Sequence, residues 1–148
     1  MVGPVEIRHR SLVDECLDIS NLAASSGGVK PATGDDRGRR EDAHRLAIPA
    51  GGSVTYEVPE PIVSWAARLF IPKPPVNLAV AYSIDGEAYS PGELADRRSA
   101  KSTGDYQYLP VAEITSATIP PGARWVRITS TGDSELSHLV LRFGGIEK

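Results

Sequence analysis

The sequence predicts an all-β protein: one antiparallel β-sandwich of jelly-roll type with seven to eight strands. Three observations carry that expectation. Fourteen glycines and twelve prolines among 148 residues punctuate short runs rich in β-branched side chains. Across residues 53–90 apolar and polar side chains alternate with the period of two that a half-buried strand demands. No segment sustains the 3.6-residue period of a helix. A chain of this length fits one domain, residues 1–148, which buries roughly 68–70% of its unfolded surface and needs no metal or disulfide to fold. Its first ten residues, MVGPVEIRHR, are expected to be a poorly ordered terminus.

Taken in order, residues 11–22 (SLVDECLDISNL) fit either a short helix or an irregular first strand, and residues 23–40 read as a long Gly/Ser/Asp-rich loop. In 44–48, His44, Leu46 and Ile48 share a face. After the turn Pro49-Ala50-Gly51-Gly52, Val54, Tyr56 and Val58 alternate with Thr55 and Glu57 until Pro59 and Pro61 stop the ladder, since proline has no N–H to donate. In 62–71 the wholly apolar set Val63, Trp65, Ala67, Leu69 and Ile71 is assigned to the core, with Ile62, Ser64, Ala66, Arg68 and Phe70 outward. Past a turn at 72–75, Val76, Leu78, Val80 and Tyr82 point in. Asn77, Ala79, Ala81 and Ser83 point out and leave a shallow floor. Asp85-Gly86 predicts a tight hairpin with both central residues at positive φ. Residues 91–105 form a second polar loop, 106–114 a strand and 120–122 a turn. In 124–130, Val126 and Ile128 face in while Trp125, Arg127 and Thr129 face out. In 138–143, Leu139, Leu141 and Phe143 face in while His138, Val140 and Arg142 face out.

A net charge of −3 argues against partners that demand a basic face, nucleic acid and anionic membrane among them. Arg37, Arg39 and Arg40 are interleaved with Asp35, Asp36, Glu41 and Asp42, the mark of a solvated loop. Cys16 is the single cysteine, so no internal disulfide forms. No apolar run approaches the roughly 18 residues of a membrane span, and the N-terminus lacks the apolar core of a signal peptide. A chain this short with no address reads as a domain of a larger protein.

Catalytic signatures are missing: there is no G-x-S-x-G elbow, no H-E-x-x-H helix and no Gly-rich phosphate loop. His9, His44 and His138 are scattered, and Cys16 has an apolar context rather than the electropositive one a nucleophilic thiolate needs. The chain is therefore read as not an enzyme. Nothing brings the acids Asp14, Glu15, Asp18, Asp35 and Asp36 face to face across a cleft as glycosidase chemistry requires. Calcium, which takes hard oxygens from several segments, is their better functional use. Trp125 and Arg127 share an outward face, and Arg68, Phe70 and Asn77 are also assigned outward. If their strands belong to one sheet, they make an aromatic and guanidinium patch; otherwise Trp125 packs under the 91–105 loop. Tyr106 and Tyr108 follow that loop, where binding residues are common.

Residues 52–90 (SVTYEVPEPIVSWAARLFI, then VNLAVAYSIDGEAY, with Ser83, Asp85 and Gly86 in an S-x-D-G hairpin followed by Tyr89) resemble the galactose-binding-like, discoidin-like jelly-roll sandwiches. So do the closing strands PPGARWVRIT and HLVLRFG, and DECLDISNL matches the family's first strand more loosely. About two thirds of the chain is covered, and the likeness is strongest to accessory modules of bacterial carbohydrate-active enzymes. The resemblance implies a non-catalytic carbohydrate-binding module, secreted or extracellular as part of a larger bacterial protein, and monomeric or tethered to a catalytic domain. The ligand would be a soluble or acidic polysaccharide held by Trp125, Arg127, Arg68, Asn77, Tyr106 and Tyr108, since guanidinium pairs bidentately with carboxylate or sulfate. Scarcity of exposed aromatics speaks against flat crystalline polysaccharide. The family's structural calcium would fall to Asp14, Asp18 and Asp36; no cofactor is required. The alternative is a structural accessory domain that packs on a neighbour through Ile62, Ala66, Phe70, Ala79 and Ala81.

Overall fold

The computed structural model describes residues 6–16, 18–32, 44–72, 76–98 and 111–147. Among them the chain forms strands and turns only. In order these are β1 (Glu6–Asp14), β2 (Ala24–Ser26), β3 (Lys30–Ala32), β4 (Arg45–Ile48), β5 (Ser53–Glu57) and β6 (Ile62–Phe70). Then come β7 (Leu78–Ser83), β8 (Ser90–Pro91), β9 (Leu94–Arg98), β10 (Val111–Ser116), β11 (Trp125–Ser130) and β12 (Ser134–Glu147). They build a seven-stranded sheet ordered β3-β4-β12-β6-β10-β9, with β1 also on β12, and a five-stranded sheet ordered β2-β5-β11-β7-β8. Every pairing is antiparallel.

The two sheets enclose one core. Leu46, Ile48, Tyr56, Trp65, Leu69, Tyr82, Ile114, Val126, Ile128 and Leu141 belong to it, all nearly without solvent contact. Burying such side chains stabilises by about 1.5–3 kcal/mol each. Their polar ends are satisfied inside: the Trp65 indole N–H donates to the Tyr82 hydroxyl at 2.7 Å, and the Tyr56 hydroxyl donates to Asp14 Oδ2 at 2.7 Å. Burial drives the Tyr56 phenol far above its ordinary value, and the Asp14 charge beside it adds to the effect, so Tyr56 stays a donor.

Several expectations change. The open segment 11–22 is the end of a strand followed by a turn, and β1 begins at Glu6, inside the stretch expected as a loose terminus, where it pairs with β12. Residues 24–26, 30–32 and 94–98, read as loop, supply short strands at the sheet margins. On β6 the alternation slips at its start. A register shift of β12 between Arg142 and Phe143 turns Ile62 inward and leaves Val63 41% exposed. Phe70 is 1% exposed although its register places it on the outward side, opposite Val111 and Glu135. The apolar outer patch is thereby divided: Ile62 and Phe70 are buried, Ala66 lies on the larger sheet, and Ala79 and Ala81 lie on the smaller one. Asp85 keeps negative φ, with Gly86 alone in its loop at +83°. Residues 84–89 thus form a six-residue loop rather than a two-residue hairpin.

Candidate functional site

The strand register defines two ends of the sandwich. At one, Trp125 stands opposite Ser83, and the Ile62 N–H donates to the Ala123 carbonyl at 2.8 Å. At the other, Ser130 stands opposite Leu78, and the Thr131 N–H donates to the Asn77 carbonyl at 2.9 Å.

The six residues expected to bind ligand do not form one patch. Trp125 and Arg127 share the outer face of the smaller sheet, at the Ala123 end. Trp125 is half-buried: the Arg124 guanidinium lies 4.9 Å from its ring centroid, and a Cβ on Gly86 would fall 2.9 Å from its six-membered ring. The indole is thus packed by Arg124 and the 84–89 loop; residues 99–105 of the loop expected to cover it fall outside the described residues. Arg127 is stacked 3.8 Å from the Tyr89 ring centroid, and its Nε donates to Thr55 Oγ1 at 3.3 Å. Arg68 belongs to the larger sheet, 3.5 Å from Glu113. Asn77 is exposed at the opposite end. Tyr106 and Tyr108 fall outside the described residues.

At the Asn77 end the loops between β4 and β5 and between β11 and β12 converge. Asp133 Oδ1 accepts the Ala50 N–H at 3.0 Å, and Thr131 Oγ1 accepts the Asn77 N–H at 2.9 Å. They frame a cleft of about 320 Å³ walled by residues 47–49, Pro72 and residues 133–135. Pro49 and Pro72, both partly exposed, give it apolar C–H surface. Below it Arg45, only 2% exposed, donates from Nε to Glu135 Oε1 at 2.7 Å, a pair that ties β4 to β12 and offsets the Glu135 charge. Ser134 is buried as well, and its hydroxyl has no hydrogen-bond partner among the described residues. An unsatisfied buried hydroxyl costs about 1–3 kcal/mol, and this one belongs to a residue that lines the cleft. Nothing in the sequence distinguishes Ser134 from the chain's other serines; the hydroxyl is singled out by what folding leaves around it.

Of the three acids assigned to calcium, Asp14 and Asp18 are described, and both accept hydrogen bonds from the protein. Asp14 is fully buried, with Oδ1 accepting the Cys16 N–H at 2.8 Å and the Asn21 amide at 3.4 Å, and Oδ2 accepting Tyr56. Asp18 is exposed and accepts the Ser20 N–H at 2.8 Å, which together with the Ser20 side chain holds its carboxyl below the ordinary value. Asp36 falls outside the described residues. Among those described, no three His, Cys, Asp or Glu side chains come together as a cation site. The Asp14 donor set therefore does not fit a calcium ligand.

Two antiparallel sheets closed by the first strand on the last define the class, a jelly-roll β-sandwich. No family model matches the sequence, and no curated protein matches it. Solved structures do. The chain is similar to the C-terminal family 6 carbohydrate-binding module of a marine laminarinase from Zobellia galactanivorans, with a TM-score of 0.53 and 14% identity over 89% of this chain and 98% of that one. It is similar also to a family 6 module from Clostridium stercorarium in complex with cellobiose, at a TM-score of 0.53 and 13% identity over 89% and 92%. At such identities the likeness establishes the fold.

Proposed function

We propose that the chain is a non-catalytic carbohydrate-binding module, working outside the cell as part of a larger carbohydrate-active protein, and that it takes a neutral, soluble polysaccharide in the cleft beside Asp133. The observation that carries the reading is a cleft with proline walls and the Asp133 carboxylate at its rim, over a Ser134 hydroxyl that has no partner among the described residues. Sugar rings offer C–H faces to Pro49 and Pro72. Their hydroxyls donate to Asp133, whose Oδ2 receives no donor among the described residues, and exchange hydrogen bonds with the exposed Asn77 side chain. Acidic glycans suit the described part of this cleft poorly: among the described residues its lining carries the carboxylates Asp133 and Glu135 and no cation, and Arg45 beneath it is paired with Glu135. The fold supports the reading, since both similar structures are carbohydrate-binding modules and one holds cellobiose.

Calorimetry against laminarin, cello-oligosaccharides, alginate and polygalacturonate tests it. Binding should appear for a neutral glucan and be absent for the uronates. Asp133→Ala and Asn77→Ala should each weaken it about tenfold, equivalent to about 1.4 kcal/mol. No glycan binding, preference for a uronate, or full affinity in Asp133→Ala defeats the proposal.

A further inference from the structure

A second cleft, of about 230 Å³, opens at the opposite end of the sandwich, between the 84–89 loop and the 120–123 turn. Its lining differs in kind from that of the Asp133 cleft. Tyr82, Ile84, Ala88, Pro120 and Ala123 give it mainly apolar walls, and Asp85 is the one charged residue of its lining among the described residues. Ser83 and Ser90 complete it, but the Ser83 hydroxyl is already engaged, accepting the Gly86 N–H at 2.8 Å and donating to Asp85 Oδ1 at 3.0 Å.

The loop holds Asp85 in place. Its Oδ1 accepts the N–H groups of Glu87 at 2.9 Å and Ala88 at 3.0 Å besides the Ser83 hydroxyl. Every one of these bonds falls on one oxygen, so Oδ2 is without a donor among the described residues. The same bonds keep the carboxyl below its ordinary value, hence charged at neutral pH. Exposed Glu87 adds a second negative charge to the loop. Ile84, beside the mouth, is 63% exposed, more than any other large apolar side chain among the described residues.

We infer that this cleft is a socket for a lysine or arginine side chain presented by a partner polypeptide. Such a side chain has an apolar stem and a cationic head, which answer the apolar walls and the lone carboxylate oxygen. A sugar finds too few open polar groups here: one oxygen of Asp85 and the Ser90 hydroxyl. Ile84 at the rim calls for an apolar residue next to the basic one, so the partner is a basic and apolar segment of protein. The socket lies at the far end from the proposed glycan cleft, leaving both free to be filled at once.

Titration of ¹⁵N-labelled protein with butylammonium, N-acetyl-lysine amide, N-acetyl-Lys-Leu amide and cellotetraose tests the inference through the backbone amides of residues 84–88. The three cations should shift them saturably in the roughly millimolar range, the dipeptide most tightly, and cellotetraose should leave them in place. Asp85→Asn keeps an Oδ1 acceptor for the loop and should weaken the cations about tenfold. Ala88→Leu, at an exposed position, should fill the socket and abolish the response. No shift with any cation, equal affinity in Asp85→Asn, or a response to cellotetraose in place of the cations overturns it. Failure of glycan binding at the Asp133 cleft leaves this result unaffected.

Discussion

Asp14 shows how a residue's role is set by what folding brings to it. As one of several acids near the start of the chain it suggested a metal; buried, it is an acceptor that locks β1 against β5 through Tyr56, forty-two positions away. Tyr56→Phe keeps the ring and removes that donor, leaving a buried carboxylate short of one hydrogen bond. It should cost about 1.5–3 kcal/mol, read as a lower urea midpoint at unchanged slope. Tyr56, Trp65 and Tyr82 were assignable to the core because alternation reports which way a side chain points. Their hydrogen bonds were not assignable, because the partners are distant in sequence. Asp85 is the opposite case, its partners lying within three residues. Its carboxyl in the folded state titrates below the ordinary 3.8. The stability it contributes is complete above the unfolded value and is lost as pH falls through the folded one. The Glu87 and Ala88 amide resonances should follow a single titration with its midpoint below 3.8, and Asp85→Asn should remove it.

Elements with a buried face were legible from their pattern, and the sheet margins were not. β5 and β11 alternate apolar and polar side chains, and β7 alternates large and small ones; in β11 burial follows the same alternation, whereas in β5 the polar Ser53 and Thr55 are buried as well. β2 and β3 are three residues each and largely exposed, and β9 (LADRR) is mostly charged, so no hydrophobic period marks them. They are strands because a neighbour offers them a ladder. A bulge likewise depends on the strand beside it, which is why the inversion at Ile62 and Val63 escaped a pattern read along β6 alone. β1 provides the sharpest test of an element. Its backbone pairs with β12 from Glu6↔Glu147 to Asp14↔Leu139, and Arg10 lies over the Phe143 ring at 5.0 Å from the centroid. Deleting residues 1–10 should therefore destabilise the fold by on the order of 2–4 kcal/mol, measured by thermal or urea unfolding. A truncated chain with unchanged stability would show those pairs to contribute nothing.

For the whole molecule, what matters is which residues share an end. A patch of Trp125, Arg127, Arg68 and Asn77 required one sheet and one end, and these residues occupy two sheets and both ends. Trp125→Ala should accordingly leave glycan affinity within about twofold of the parent, while Asp133→Ala lowers it; the reverse outcome would move the site to the smaller sheet. By itself the sequence determined the all-β class, the antiparallel sandwich, the central strands and most of their inward side chains, since period-two alternation and turn residues are local properties of the chain. Only the tertiary structure decided that Asp14 is sealed under Tyr56, that Trp125 is packed beneath Gly86, and that Asp133 and Ser134 meet Pro49 and Pro72 at a cleft. Each of those depends on strand order and register, which bring together residues that no local spacing relates.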